Sequence, residues 1–192
     1  MNQSTDEVGP SFLDAFCTIL IQEHRGSKMT LAQWAHASEV DLHSLKLLRE
    51  GIRAIRCEYA VRLCCGLGLG FERVLREAIQ LKFKTADERR CAWKCQLIYD
   101  SSAHNLLPVR DARAFVAALC SELGCRVAES GKSFSQLARE CRMERTVISR
   151  LKQPGRQNPS LQSLFELSCA VACQLDVQAR KVASALQPSQ GK

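Results

Sequence analysis

One predicted helix carries the polar side chains that are best suited to binding a ligand: Arg145, Thr146, Ser149 and Arg150. The pattern places this helix at about residues 144–152, with Val147, Ile148 and Leu151 on its buried side. An arginine can bond two acceptors of guanine at once, and a threonine methyl can contact the thymine methyl, both in the major groove. These residue types at this spacing indicate hydrogen bonding to the base edges of duplex DNA. The alternative is a solvated basic face that contacts no ligand.

A second predicted helix and a tight turn position this set, within residues 131–155. Ser133 and Gln136 form an S-x-x-Q capping box that opens the preceding helix. Phe134, Leu137 and Ala138 then follow at i, i+3 and i+4, the spacing of one buried helical face. We therefore expect two short helices, the second of which presents its polar side to solvent.

The flanks of this helix pair suit contacts with DNA phosphates, and the candidates are Lys132, Ser133, Lys152, Gln153 and Arg156. Residues 132–156 contain seven Lys/Arg and two Asp/Glu. Of the formal net charge of +7, residues 1–70 contribute −1, residues 71–110 contribute +3 and residues 111–192 contribute +5. Phosphate contacts orient a protein on DNA without reading its sequence. The charge distribution favours the second half of the chain as the DNA-binding half.

The same pattern occurs about 100 residues earlier, which predicts an internal repeat. Thr30 and Gln33 form a T-x-x-Q capping box, and Trp34 falls where Leu137 falls. In the first copy, the outward positions of the third helix read Leu42, His43 and Leu47, where the second copy has Arg145, Thr146 and Arg150. Two interpretations stay open. This face could bind another protein, or the helix phase could be misassigned and the leucines simply buried.

The second copy, SFSQLARECRMERTVISRLKQPGRQNPSLQSLFELSCAVA, resembles the phage-repressor (Cro/cI-like, XRE-type) helix-turn-helix family. The first copy resembles it more weakly, through TLAQWAHASEVDLHSLKLLREG and CEYAVRLCCGLGLG. The resemblance implies compact four- or five-helix domains that bind duplex DNA, usually as a dimer on a near-palindrome. By that resemblance, Arg145, Thr146, Ser149 and Arg150 are the base-reading positions. The chain departs from the family at Lys152 and Arg49, where the family commonly has Glu.

The chain is therefore expected to be all-α, with two tandem repressor-like helix-turn-helix domains. The predicted units are an N-terminal domain at 1–83, a helical connector at 84–110, a C-terminal DNA-binding domain at 111–186 and a tail at 187–192. Asn158 and Pro159 are expected to be the N-cap and first residue of the fourth helix of the second copy. Core packing is expected for Trp34 and Phe134.

Composition narrows the class of protein further. No run of about 18 apolar residues occurs, so a membrane span is not expected. The start of the chain lacks an apolar signal core, and we expect a cytoplasmic, nucleoid-associated protein. The 11 cysteines form no C-x-x-C motif, and most fall on apolar helical positions, as reduced core cysteines do. Cys91 and Cys95 are the best candidates for a metal or redox site.

Three functions stay open at this point. The favoured one is a transcriptional regulator that binds DNA as a homodimer, without cofactor, metal or catalytic residues. The second is an adaptor with the same fold that binds a protein partner through its N-terminal domain, at Leu42, His43 and Leu47. The third is a regulator that senses redox state or a metal through its cysteines. An enzyme is not expected, because no phosphate-binding loop, catalytic triad or carboxylate pair is recognisable.

Overall fold

The structure is a computed structural model that describes residues 11–51, 55–83, 109–151, 153 and 158–187. The described residues form ten helices, here α1 to α10 in chain order: Phe12–Gly26, Leu31–Ala37, Leu42–Arg49, Cys57–Gly66, Phe71–Lys82, Ala112–Glu129, Phe134–Glu140, Arg145–Ser149, Leu161–Ala170 and Leu175–Leu186. This part of the chain contains no strand, and its one β-bridge pairs Arg56 with Ser160. The predicted all-α class is confirmed for the described residues.

Side-chain caps determine where most of these helices begin. Thr30 and Gln33 form the predicted reciprocal box at α2, with an N–H···Oγ1 distance of 3.2 Å and a return distance of 2.7 Å. Asp41 accepts the amide N–H of Ser44 at the start of α3, at 2.7 Å. Four further helices have capping side chains: Ser11 for α1, Asp111 for α6, Ser133 for α7 and Ser160 for α9. Each such cap stabilises its helix by about 1 kcal/mol.

The cap of α9 differs from the prediction. Ser160, not Asn158, is the N-cap, and Pro159 lies before the helix. Asn158 caps a different helix, because its Oδ1 accepts the amide N–H of Glu58 at 3.0 Å. Glu58 is in the first turn of α4. A residue of the second copy therefore satisfies an otherwise unpaired helix-start donor of the first copy.

Three other local predictions are corrected. Helix α8 is shorter than the predicted 144–152, since it runs from Arg145 to Ser149 with Glu144 as N-cap. Phe134 is 40% exposed rather than in the core. The box at Ser133 is only half formed. Gln136 donates its side-chain amide to Glu140 at 3.0 Å instead of reaching back to the Ser133 backbone.

The backbone turns of the two copies recur at a nearly constant separation. Three pairs of residues adopt positive φ at equivalent places: Lys28 and Gly131, Glu39 and Arg142, Gly68 and Ala172. The first two pairs are separated by 103 residues and the third by 104. Non-glycine residues adopt this conformation rarely, so its repetition indicates the same turn geometry in both halves.

Aromatic side chains join the two copies in one hydrophobic core. The rings of Phe12 and Phe165 stack with centroids 4.0 Å apart and 7° between their planes. Phe71 and Phe115 meet edge to face at 5.7 Å. All four side chains are at most 3% exposed. Burial of this extent, at about 25 cal/mol per Å² of apolar surface, is the main force that holds the copies together.

The contacts between the copies are exchanged by an approximate two-fold operation. The first helix of the first copy, α1, packs on α9 of the second, and α4 of the first copy packs on α6 of the second. The last helices, α5 and α10, pack on each other. Cys57 N–H donates to the Pro159 carbonyl at 2.9 Å, and Leu161 N–H donates to the Ile55 carbonyl at 2.8 Å. Interchanging equivalent residues of the two copies converts one of these hydrogen bonds into the other.

Two sequence predictions lie largely outside the described residues. Most of the connector at 84–110 is not described, and neither is the tail beyond residue 187. The domain boundaries stay predictions. Among the described helices, none is both long enough and apolar enough to cross a membrane.

Candidate nucleic-acid interface

Helices α7 and α8 hold the predicted base-reading residues. Leu137 on α7 and Ile148 on α8 are buried in the core, at 0% and 2% exposure. The turn between the helices is closed by the amide N–H of Met143, which donates to the Ala138 carbonyl at 3.1 Å. Arg142 makes the turn possible by adopting φ 50°. One side of α8 is thus fixed against the core, which leaves its other side directed to solvent.

The solvent side of α8 and its C-cap residue Arg150 contain all four predicted base-reading residues, since Arg145, Thr146, Ser149 and Arg150 are each exposed. Neither arginine forms an ion pair with another described residue. Thr146 donates its hydroxyl to Glu144 at 3.2 Å, and Ser149 donates to the Thr146 carbonyl at 3.1 Å. The guanidinium groups are the only strong donors on this face without a partner among the described residues, and they are available for an external acceptor.

The predicted phosphate-contacting residues divide into four groups. Lys132 is already engaged, because its Nζ lies 2.6 Å from a carboxylate oxygen of Glu140 and 2.8 Å from the Ala170 carbonyl. The hydrogen bond from Lys132, with a second from Gln136, lowers the pKa of the Glu140 carboxyl. The Ser133 hydroxyl caps α7. Gln153 is exposed, whereas Lys152 and Arg156 lie outside the described residues.

The equivalent helix of the first copy, α3, exposes a different set from the predicted one. Leu42 is half-buried and packs against the core, Leu47 is half-buried, and His43 is exposed. The exposed cations of α3 are Lys46 and Arg49. Together with Leu31 and Glu50 they line a shallow cleft of about 280 Å³.

The sequence comparison did not select Lys46 or Arg49 as contact residues, because it considered only the positions that match Arg145, Thr146 and Arg150. The signal that identifies them is the phase of the helix. Leu45 and Leu48 are the buried positions, at 0% and 3% exposure, and each cation follows one of them. The assignment of Leu42, His43 and Leu47 as a protein-contact face stays a prediction.

The cysteines of the described residues are all free thiols. Burial raises the pKa of Cys120 to about 12 and that of Cys141 to about 11. Burial also raises the pKa of Cys57 and Cys64 well above the usual thiol value. A thiol with so high a pKa is a poor nucleophile and a poor metal ligand at neutral pH.

No group of three or more His, Cys, Asp or Glu side chains that could hold a metal ion occurs within the described ranges. Cys91 and Cys95, the predicted metal or redox candidates, lie outside those ranges. Comparison with models of known protein families, with characterised proteins and with solved structures gave no match.

Proposed function

We propose that this protein is a sequence-specific DNA-binding transcriptional regulator whose helix α8 reads the major groove. The observation that carries the proposal is the exposed set Arg145, Thr146, Ser149 and Arg150, which lies on a short helix and its C-cap, with the opposite side of the helix buried. The resemblance to repressor-like helix-turn-helix proteins supports the same four positions as base-reading residues. The protein performs no chemistry in this role. It acts by occupying a promoter or by recruiting other proteins to it.

The two arginines provide most of the sequence discrimination. Each bidentate arginine–guanine pair supplies roughly 1–3 kcal/mol of discrimination against a wrong base. Arg145 and Arg150 together therefore supply about 2–6 kcal/mol, a ratio of roughly 30 to 10⁴ between the operator and other sequences. Thr146 and Ser149 are short side chains whose partners on the helix leave their hydroxyl oxygens able to accept a bond.

The test compares two double variants on one operator duplex, selected from a random library, and on a scrambled duplex. Arg145→Ala/Arg150→Ala removes both charge and hydrogen bonds. Arg145→Lys/Arg150→Lys keeps the charge but lacks the rigid, planar fork of donors with which arginine bonds two acceptors at once. We expect the Ala variant to lose about 30-fold or more in the affinity ratio between the two duplexes. The Lys variant should lose most of that ratio while keeping the salt dependence of the wild-type chain.

An unchanged affinity ratio in both variants would refute this role of α8. Retention on duplex DNA that is absent or insensitive to salt would favour the protein-interaction adaptor instead. DNA binding that changes with reductant or chelator would favour the cysteine-based sensor. The homodimer predicted from the sequence is a separate proposal, and sedimentation of the free chain measures it.

A further inference from the structure

We propose that a single chain binds DNA with both of its helix pairs and spans two unequal half-sites. In this proposal α8 reads one half-site, and α3 contacts the other through His43, Lys46 and Arg49. The inference rests on the proposed function and adds the class of duplex, an asymmetric bipartite site, and the stoichiometry of one chain per site.

The first argument is the approximate two-fold relation between the copies. The paired bonds at the seam, from Cys57 N–H to the Pro159 carbonyl and from Leu161 N–H to the Ile55 carbonyl, are equivalent under exchange. The bridge between Arg56 and Ser160 joins equivalent positions of the two copies, so the approximate axis passes close to it. Equivalent positions meeting each other is the signature of an isologous contact, which a dimer normally makes between two chains.

The helices around the seam obey the same exchange. Interchanging the two copies converts the contact of α1 with α9 into the contact of α6 with α4, and both contacts are present. Helix α5 packs on its own equivalent in the second copy, α10. Across that last contact, Arg76 lies 3.6 Å from a carboxylate oxygen of Asp176, and Asp176 is 7% exposed. Its equivalent in the first copy, Glu72, is also buried, at 2% exposure. The copies are therefore packed face to face through specific contacts.

A two-fold arrangement of helix pairs is what a protein needs to contact two half-sites. Dimeric helix-turn-helix proteins bind half-sites whose centres are one helical turn apart, about 10–10.5 base pairs, because their recognition helices are related by two-fold symmetry. Here the relation exists within one chain. A second chain is not required to produce it.

The second argument is the surface of α3. With Leu45 and Leu48 buried, the side chains of His43, Lys46 and Arg49 face solvent. Their equivalents in the second copy are Thr146, Ser149 and Lys152. Neither Lys46 nor Arg49 forms an ion pair within the part of the chain that the structure describes. Helix α3 thus presents two free cations at the place where α8 presents its own polar set.

The two half-sites should differ in how strongly they are specified. Where α8 has Arg145 and Arg150, α3 has the half-buried Leu42 and Leu47, which cannot form hydrogen bonds to base edges. Lysine acts on phosphate as a point charge, so Lys46 contributes affinity with little sequence preference. The DNA site should therefore be asymmetric. One half-site is recognised through its bases, and the other is bound mainly through the DNA phosphate backbone.

The experiment uses the full chain and a duplex that it selects from a random library. Native mass spectrometry measures the number of chains per duplex, and hydroxyl-radical footprinting measures the protected segments. We expect one chain per duplex and two protected segments on one face, about one helical turn apart. Two chains per duplex, or one chain that protects a single segment, would overturn the inference.

Variants then assign each segment to a helix. Lys46→Ala/Arg49→Ala should remove protection from one segment. It should also make the negative slope of log affinity against log salt shallower by about 2. Arg145→Ala/Arg150→Ala should weaken the other segment. Lys46→Ala alone should make this slope shallower by about 1, whereas Lys181→Ala should leave the slope unchanged. Lys181 is the matched control, an exposed lysine on α10 outside both helix pairs.

A Lys46→Ala/Arg49→Ala variant that protects both segments as the wild type does would also overturn the inference. Failure of the chain to bind any duplex would refute the proposed function itself, and this inference with it. The two failures are thus distinguishable, because only the second abolishes DNA binding by the unmodified protein.

Discussion

Replacing Phe12 with alanine should destabilise both halves of the molecule together. Phe12 belongs to the first helix of the first copy, yet its fully buried ring stacks on Phe165 of the second copy at 4.0 Å. It also lies 6.4 Å from the ring of Phe16 within its own copy. The side chain is therefore shared by the two halves of the core, and its loss leaves a cavity between them.

The magnitude follows from the burial. Truncation of a fully buried phenylalanine to alanine costs about 3–5 kcal/mol, a figure that includes the cavity. The stacking with Phe165 accounts for about 0.5–1.5 kcal/mol of it. Domains commonly have 5–15 kcal/mol of stability in total. The Phe12→Ala protein should therefore still fold, with a free energy of unfolding lowered by about 4 kcal/mol.

Urea unfolding followed by two probes measures this effect. In a Trp93→Phe background, fluorescence reports on Trp34, a fully buried residue of the first copy, and far-ultraviolet circular dichroism reports on all helices. Coincident transitions indicate one cooperative unit. We expect coincident transitions before and after the substitution, both displaced to lower urea. The control Phe134→Ala removes a ring that is 40% exposed and should cost no more than about 1 kcal/mol.

A biphasic transition in which the helical signal of the second half keeps its midpoint would refute this reasoning. It would mean that the copies fold as independent domains and that Phe12 stabilises only the first.

Three further predictions concern single positions. Gly66→Ala should destabilise the folded protein by about 1–3 kcal/mol, because a Cβ there would clash with the Ser38 hydroxyl and approach the Ser38 amide nitrogen to 2.8 Å. Gly26 has open space around it, so Gly26→Ala should be neutral or stabilise the fold by up to about 1 kcal/mol. Thermal melts of the two variants test this difference. Burial raises the pKa of Asp176, so the contribution of this carboxyl to stability is full below the usual carboxyl pKa and is lost as pH rises through the raised value. From about pH 4 upward, the free energy of unfolding of the wild type should therefore fall relative to that of Asp176→Asn. Parallel pH profiles of the two proteins would contradict this. Among the described cysteines, the exposed Cys125 should react first with a thiol reagent in the native protein, and Cys125→Ser should remove that fast phase while the buried thiols react only on unfolding.

Local features of the fold were predictable because they depend on near neighbours in sequence. The capping residue Thr30 is where the sequence placed it, since a cap needs only the amide groups two or three residues ahead. Trp34 is buried as expected. Its indole N–H donates to the Leu63 carbonyl at 3.1 Å, which periodicity alone cannot indicate.

Features that depend on distant contacts were not predictable in this way. Asn158 has the residue type and position of an N-cap for α9, but it caps α4, a contact across 100 residues of sequence. Phe134 has the spacing of a core residue, yet its side chain stays 40% exposed. A periodic pattern identifies which side of a helix is apolar, and only the tertiary arrangement decides whether every position on that side is covered.

The candidate site shows the same division. The exposure of Arg145 and Arg150 followed correctly from the apolar pattern of residues 144–152, because Ile148 and Leu151 define the buried side of this segment. On α3, position-by-position comparison with α8 emphasised Leu42 and Leu47 and overlooked Lys46. The face-to-face packing of the copies could not be predicted from the repeat. An internal repeat indicates that two units have similar structures, but it does not indicate which surfaces of the units are in contact.

Selection of duplexes from a random library by the full chain, followed by sequencing, tests the central proposal most directly. The measurement is made in parallel with the wild type and with Arg145→Ala/Arg150→Ala. We predict that the wild type enriches one asymmetric motif whose strongest positions include guanines, and that the variant loses those positions. Enrichment of the same motif by both proteins, or of none by the wild type, would contradict the assignment of α8 as a reader of DNA sequence.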